Sequence, residues 1–263
     1  MAILEMNYYS MALGRTTTVN VILPTDKALV DGYTPIKPFK TLYLLHGYCG
    51  NHTDWVNYTR IQHLAEDRNL AVVMPAGENA FYIDHPYGKF GQLIGEELVQ
   101  MTRRMFPLSH RREDTFIAGL SMGGYGAMRN GLKYADTFGY IGAFSGAFHY
   151  FALEPEQAEE SHRKRNYLFG DPVEAAKTDV NPQVAYLNRT ADPKIYMACG
   201  TEDELLESSR RFHAFLQEQG ADVTYEEGPG THNWDFWNTY LLKFLNWLPL
   251  DGKLQGIGSG NVK

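Results

Sequence analysis

The chain has 263 residues with 31 acidic and 24 basic side chains, a net charge of −7 at neutral pH. That acidic excess argues against nucleic acid or an anionic membrane as a partner. With 44% hydrophobic and 21% charged residues, the chain can build a full core rather than remain disordered. No window reaches the roughly 18 consecutive apolar residues of a membrane span; Lys243, Asn246 and Pro249 break even the stretch 241–250. The first residues carry no basic segment followed by an apolar one and a small-residue cleavage site, so the expected location is the cytoplasm. The two cysteines, Cys49 and Cys199, are too few for a disulfide framework and read as free thiols, buried or half-buried.

In chain order, 6–11 and 17–23 alternate as two strands joined through Gly14 and Arg15, both expected at a sheet edge, where they can pair between subunits in a homo-oligomer. After a Pro/Gly/Asp-rich connection, Thr41-Leu42-Tyr43-Leu44-Leu45 is continuously apolar, the pattern of a strand buried on both faces. A helix near 58–68, a strand at 70–74, a helix at 92–106, a strand at 114–118, a helix at 121–133 and a strand at 140–144 follow. Residues 148–191 carry mixed charge without a strand pattern and read as a small cap inserted over the sheet. The alternation resumes with a strand at 194–198, a helix at 204–219, a strand at 223–226 and a helix at 234–247, leaving 251–263 as a flexible, glycine-rich tail. This order predicts one α/β domain over 1–250, a mainly parallel, doubly wound sheet with helices on both faces.

The sharpest chemical signal is Gly119-Leu120-Ser121-Met122-Gly123 between a strand and a helix. The G-x-S-x-G pattern in that context places a serine on a tight turn with its hydroxyl exposed, and glycines on either side let the backbone pass without Cβ clashes. A phosphate-binding loop fits less well, since Arg129 stands where the last glycine of G-x-G-x-x-G belongs. A serine nucleophile needs a base and a group to orient it. His232 is the candidate base, in the loop after the last strand; His213 falls within a helix. The acid belongs after the strand 194–198, where Glu202, Asp203 and Glu204 stand in a row; Asp203 is preferred as a short carboxylate beside the next helix, with Glu202 in reserve. The backbone amides of Met122 and Tyr48 are the expected oxyanion donors, the second from the loop after the strand 41–45. His46, Cys49 and His52 show H-x2-C-x2-H spacing but lack a second cluster to complete a metal site, so neither a metal nor another cofactor is expected. Of the aromatic residues Trp55, Phe81, Tyr82, Trp234 and Trp237, Trp234 is the foremost candidate for contact with substrate.

Taken in order, His46-Gly47, Gly119-Leu120-Ser121-Met122-Gly123-Gly124, Gly200-Thr201-Glu202-Asp203 and His232-Asn233-Trp234 resemble the esterase D group of α/β-hydrolases. Within it the chain is most similar to bacterial tributyrin-esterase-like carboxylesterases, including the opening Leu13-Gly14 and Val19-Asn20-Val21-Ile22-Leu23-Pro24; the resemblance spans about residues 6–248. It implies the α/β-hydrolase fold and hydrolysis of short-chain acyl esters of small molecules by Ser121, His232 and Asp203 through an acyl-enzyme. The group also contains S-formylglutathione hydrolases, feruloyl and acetylxylan esterases, and mycolyl transferases. Tyr48-Cys49-Gly50 departs from the Leu-Thr-Cys-type loop of the formylglutathione enzymes, which argues against that substrate. Acyl transfer to an alcohol would use the same triad, whereas a non-catalytic binding module would be expected to have lost the nucleophile or the base.

Overall fold

A computed structural model describes residues 1–25, 38–148, 174 and 177–250. Eight strands form the main sheet: β1 (Ala2–Ser10), β2 (Arg15–Leu23), β3 (Lys40–Leu45), β4 (Leu70–Pro75), β7 (Thr115–Leu120), β8 (Tyr140–Phe144), β9 (Lys194–Gly200) and β10 (Val223–Gly228). A short hairpin, β5 (Asp84–His85) and β6 (Gly88–Lys89), stands apart. The order across the sheet is β1-β2-β4-β3-β7-β8-β9-β10; β2 runs antiparallel to both its neighbours, and every pair from β4 to β10 is parallel. β3 is followed in sequence by β4 on one side and flanked by β7 on the other, so the chain reverses direction across the sheet beside β3. Loops at the carboxyl ends of strands diverge at such a point and leave a crevice.

Side chains alternate across the central strands β3, β4 and β7, which are apolar on both faces apart from their first residues, Lys40 and Thr41 in β3 and Thr115 in β7. Tyr43 and Leu45 of β3, Val73 of β4 and Ile117 of β7 enter one core; Leu42, Leu44, Val72, Phe116 and Ala118 enter the other. The first core is covered by α3 (residues 90–105), α4 (Met122–Lys133), α5 (Pro182–Leu187) and α6 (Leu206–Glu218). The second is covered by α1 (Asp54–Tyr58), α2 (Ile61–Asp67) and α7 (Trp234–Trp247). The α/β-hydrolase architecture expected from the sequence is present.

Three local expectations change. β2 is not an edge strand: it lies between β1 and β4, and its second half is buried. The helix expected over 58–68 is two short ones, because Thr59 is extended (φ −136°, ψ 175°) and its hydroxyl turns back to the Trp55 carbonyl. Within α3, Leu93–Glu97 forms a π-turn. The carboxylate of Glu97 there accepts from the Ser10 hydroxyl and the Met11 and Ala12 amides, tying the β1–β2 hairpin to the domain.

Most of the cap expected at 148–191, and the tail 251–263, lie outside the described residues. The returning arm is anchored on α4: the buried Arg129 guanidinium donates to the Asp179 carbonyl (3.0 Å) and carboxylate (3.1 Å), and Lys133 reaches the same carboxylate at 2.7 Å. Burial pushes the Asp179 carboxyl up, but these two cations more than offset that and hold it below the usual carboxylate range. Removing one partner of a buried pair leaves a charge in a poorly solvated place. Asp179→Ala should therefore cost about 2 kcal/mol, less than for a fully buried pair because the carboxylate is partly exposed. Urea unfolding measures this, with Asp179→Asn expected to lose less; a wild-type midpoint in Asp179→Ala would show that the anchor is idle.

Candidate active site

β7 ends at Leu120 and α4 begins at Met122, so Ser121 alone turns the chain. Its φ of 52° and ψ of −118° lie outside the regions that residues with a side chain favour. The turn is held by its neighbours: the Ser121 amide donates to the Phe144 carbonyl at 2.9 Å, and its carbonyl accepts from the amides of Tyr125 (3.0 Å) and Ala147 (3.1 Å). The flanking glycines are a steric requirement. A Cβ on Gly123 would lie 2.4 Å from the Leu45 carbonyl oxygen and 2.5 Å from that of His46, and one on Gly119 would lie 2.4 Å from the Gly123 carbonyl oxygen.

The loops after β9 and β10 bring two further groups to this serine. His232 Nε2 is 3.0 Å from Ser121 Oγ, and its Nδ1 is 3.1 and 3.0 Å from the two oxygens of Asp203. A carboxylate can only accept, so the ring proton sits on Nδ1 and Nε2 is left to accept from the serine hydroxyl. The Asp203 side chain is completely buried. Burial alone pushes its carboxyl up; hydrogen bonds from His232, the Leu205 amide and Ser145, with the attraction of the imidazole, reverse the shift and hold it below the usual range. Glu202 turns away from His232 and accepts from the Gly230 amide at 2.7 Å. His213 packs on α6 against the Tyr225 ring at 4.4 Å, remote from these groups.

Met122 is the first residue of α4, where amides have no partner within the helix. Tyr48 lies on the loop after β3, which passes close to the elbow: a Cβ on Gly47 would be 2.6 Å from Leu120 Cδ1 and 3.7 Å from Ser121 Cβ. Buried groups brace this loop. His46 Nδ1 donates to the Gly47 carbonyl at 2.7 Å and Nε2 accepts from the Gly77 amide at 2.8 Å. Tyr82 donates its hydroxyl to the His46 carbonyl, and Asn79 Oδ1 accepts from the Cys49 amide. With both ring nitrogens occupied, His46 is not available as the first ligand of the H-x2-C-x2-H spacing. Among the described residues no three His, Cys, Asp or Glu side chains form a metal-binding group. Cys49 itself is exposed, contrary to the buried or half-buried thiol expected, because it lies past the end of β3 on a loop that lines the cavity.

A cavity of about 770 Å³ opens above Ser121 and His232. Its walls include the loop 47–51, Asp54, Tyr58, Leu120, Trp234 and Trp237. Trp234 lines it from the start of α7, held edge-on by Trp55 (5.2 Å) and Trp237 (5.3 Å) and lying beside Tyr58 (5.0 Å). Trp55, Phe81 and Tyr82 are instead buried in the cores. Two supporting residues, Ser145, which accepts from the Trp237 indole at 3.1 Å, and Asn79, give no sign in the sequence, since neither is marked by spacing relative to the elbow.

The family model for esterases, described as "Putative esterase", matches residues 10–248. The chain belongs to this esterase family. It is 43% identical to an acetyl esterase of Caldicellulosiruptor saccharolyticus, the match covering 94% of this chain and 98% of that protein. Among solved structures it is similar to a substrate-bound fluorophosphonate-binding serine hydrolase F of Staphylococcus aureus, with 29% identity and a TM-score of 0.82. An S-formylglutathione hydrolase of the same organism matches with 30% identity and a TM-score of 0.81; both matches cover 94% of this chain and 98% of the other. The esterase is thus a serine hydrolase acting on carboxylic ester bonds.

The brace at His46 has a pH signature. Burial drives its imidazole down from 6.5 to about 4. Between those values the unfolded chain takes up a proton that the folded esterase refuses, so stability falls as the pH falls from about 6.5 through about 4, by about 3 kcal/mol in all. His46→Gln keeps a donor and an acceptor but does not titrate. Urea unfolding from pH 7 to pH 4 should show a loss about 3 kcal/mol larger in the wild type than in this variant; parallel curves would overturn the assignment.

Proposed function

We propose that the esterase cleaves short-chain acyl esters of small molecules with Ser121 as nucleophile, His232 as general base and acid, and Asp203 as the group that orients the imidazole. The observation that carries this reading is the unbroken hydrogen-bonded series from Ser121 Oγ through both nitrogens of His232 to Asp203. Ser121 Oγ attacks the ester carbonyl while its proton passes to His232 Nε2, and Asp203 stabilises the imidazolium that forms. The negative charge on the tetrahedral oxygen falls to the amides of Met122 and Tyr48, assisted by the positive end of α4. Collapse releases the alcohol, which takes the proton from His232. Water then repeats the sequence on the acyl-enzyme and frees the acid.

Ser121→Ala should lower kcat by several orders of magnitude and leave the circular dichroism spectrum unchanged, since no other group forms the covalent bond. Asp203→Asn should cost about a thousandfold or more through the wrong imidazole tautomer. Glu202→Gln, still able to accept from Gly230, should stay within about threefold of wild type. Equal, small losses at 202 and 203 would mean that neither residue is the acid.

The similarity to an acetyl esterase and the character of the cavity wall both support a small acyl group. Among the described residues, the backbone of the loop 47–50, Asn51, Asp54 and Asn233 supply polar surface beside Leu120 and the aromatic rings, and this wall holds no apolar run long enough to follow a fatty chain. A methylene is worth about 0.8 kcal/mol when buried and nothing when it stays in water. Rates on p-nitrophenyl esters should therefore peak between acetate and butyrate and fall beyond about six carbons; a maximum at eight carbons or longer would refute the small-pocket reading. Trp234→Ala should alter the profile, as the ring lines the cavity. Including S-formylglutathione, methyl ferulate and an acetylated sugar in the series separates thioester, aryl and carbohydrate substrates, and product analysis with an added alcohol separates hydrolysis from transfer. We further propose a cytoplasmic setting, no nucleic-acid partner and pairing of β1 in a homo-oligomer; the acidic charge supports the second, and the place of β1 at the end of the sheet among the described residues supports the last.

A further inference from the structure

We infer that the esterase selects esters whose alcohol carries a positive charge, a quaternary or amino alcohol, and that Asp54, Tyr58 and Trp234 form the subsite that holds this charge. The inference rests on the proposed roles of Ser121 and His232 and concerns the alcohol half of the substrate.

The charged part of the subsite is built on one short helix. In α1, Trp55 is buried and its indole donates to the Leu45 carbonyl at 3.0 Å, which pins that face of the helix to the end of β3. Asp54 and Tyr58, four residues apart, share another face, and both line the cavity. The Asp54 carboxylate lies against the backbone of the loop after β3: a Cβ on Gly50 would stand 2.1 Å from its Oδ2, so glycine leaves the room it needs there. Among the described residues it is the only carboxylate in the cavity wall, and no lysine or arginine joins it. Burial pushes its carboxyl up from the ordinary value. An anion short of water in this way gains more from a bound cation than from a neutral group, and it repels a second anion. The net charge of −7 acts in the same sense at longer range.

Aromatic rings continue the wall from the base outward. The rings of His232 and Trp237 are 4.9 Å apart, those of Trp237 and Trp234 5.3 Å, and those of Trp234 and Tyr58 5.0 Å. The departing alcohol takes its proton from His232 Nε2, so its oxygen must lie beside the imidazole and the rest of the alcohol extends along this wall. At its outer end the planes of Trp234 and Tyr58 differ by 31°, and the Tyr58 ring is exposed, so π-surface and the Asp54 carboxylate face the same space. A trimethylammonium group has no N–H to donate; it is held by aromatic faces and a nearby anion, the two features this wall combines. The cavity of about 770 Å³ is larger than an acetyl group needs and has room for such an alcohol.

The test uses the full chain and three acetate esters: acetylcholine, its uncharged isostere 3,3-dimethylbutyl acetate, and the anionic 2-acetoxyethanesulfonate. Acid release in a pH-stat gives kcat/KM for each, at low and at high sodium chloride. We expect the wild type to favour acetylcholine over the isostere about tenfold and the isostere over the sulfonate about tenfold, with both ratios shrinking at high salt. A ratio between two esters cancels any effect of a substitution that both share. Asp54→Asn should lower the preference for the cation about fivefold and remove most of the discrimination against the sulfonate, whereas Tyr58→Leu should lower the first ratio about threefold and leave the second. Equal kcat/KM for the three esters in the wild type, or ratios that Asp54→Asn leaves as they were, would overturn the inference. If Asp54→Asn does not fold, an unchanged preference for the cation in Tyr58→Leu overturns it instead. Ser121→Ala is the control: if that variant stays active the triad reading fails, whereas an inactive Ser121→Ala beside a wild type indifferent to charge refutes the subsite alone.

Discussion

The site depends on a close passage of backbone over backbone. Gly123, in the first turn of α4, sits against the carbonyls of Leu45 and His46 at the end of β3, with no room for even a methyl group. That approach lets α4 start immediately beside the sheet, so Ser121 has to reverse the chain in one residue and its side chain is thrown out above the strand ends. It also brings the loop after β3 against the elbow, the arrangement in which amides from two chain segments can serve one oxygen. A change at Gly123 would therefore disturb the turn at Ser121 and the loop after β3 together.

Charge is distributed around this frame by burial. His46 is kept neutral, which suits a brace that must donate on one side and accept on the other. Tyr82 and Cys199 are likewise held in their uncharged forms by burial. Asp203 is the exception: buried and yet held below the usual carboxylate range by donors around it. An anion fixed inside the domain and reached by one imidazole edge acts on that ring with little screening by water. The cost of burying Asp203 is offset locally, which is why its neighbours matter more than its own position in the sequence.

What could be read from the sequence follows from how local the determining forces are. The elbow was legible because strand, turn and helix lie within a few residues and the glycines mark a steric requirement. The central strands were legible because burial on both faces leaves unbroken apolar runs in β3, β4 and β7 after their first residues. His46 ends such a strand, so its role as an anchor rather than a ligand could be anticipated. The position of β2 could not: its burial comes from β4, which is some fifty residues further along the chain, and its first half alternates as an edge strand would. The break at Thr59 follows from one side-chain hydroxyl turning back to the Trp55 carbonyl, a choice that helix periodicity does not register. Cys49 follows a buried run in the sequence, but β3 ends at Leu45 and leaves it on an exposed loop. Ser145 gave no signal, since its partners come from β9 and α7, far apart in sequence.

The row Glu202-Asp203-Glu204 shows how tertiary contact divides roles among similar residues. Composition treats the three carboxylates alike. In the fold, the loops after β9 and β10 run side by side: the Thr201 amide donates to the Gly228 carbonyl at 2.8 Å, and the Glu202 amide to the Gly230 carbonyl at 3.1 Å. A Cβ on Gly200 would lie 2.1 Å from that same Gly230 oxygen, so only glycine permits the approach. Once the two loops are joined there, the Glu202 carboxylate is directed to the Gly230 amide and completes the seam from the solvent side. The next side chain points inward under the base loop, where Asp203 meets His232, and Glu204 is left exposed. Glu202 thus fixes where the histidine loop stands, and Asp203 fixes how the imidazole is turned: two neighbouring carboxylates act on the same loop, one on its backbone and one on its side chain.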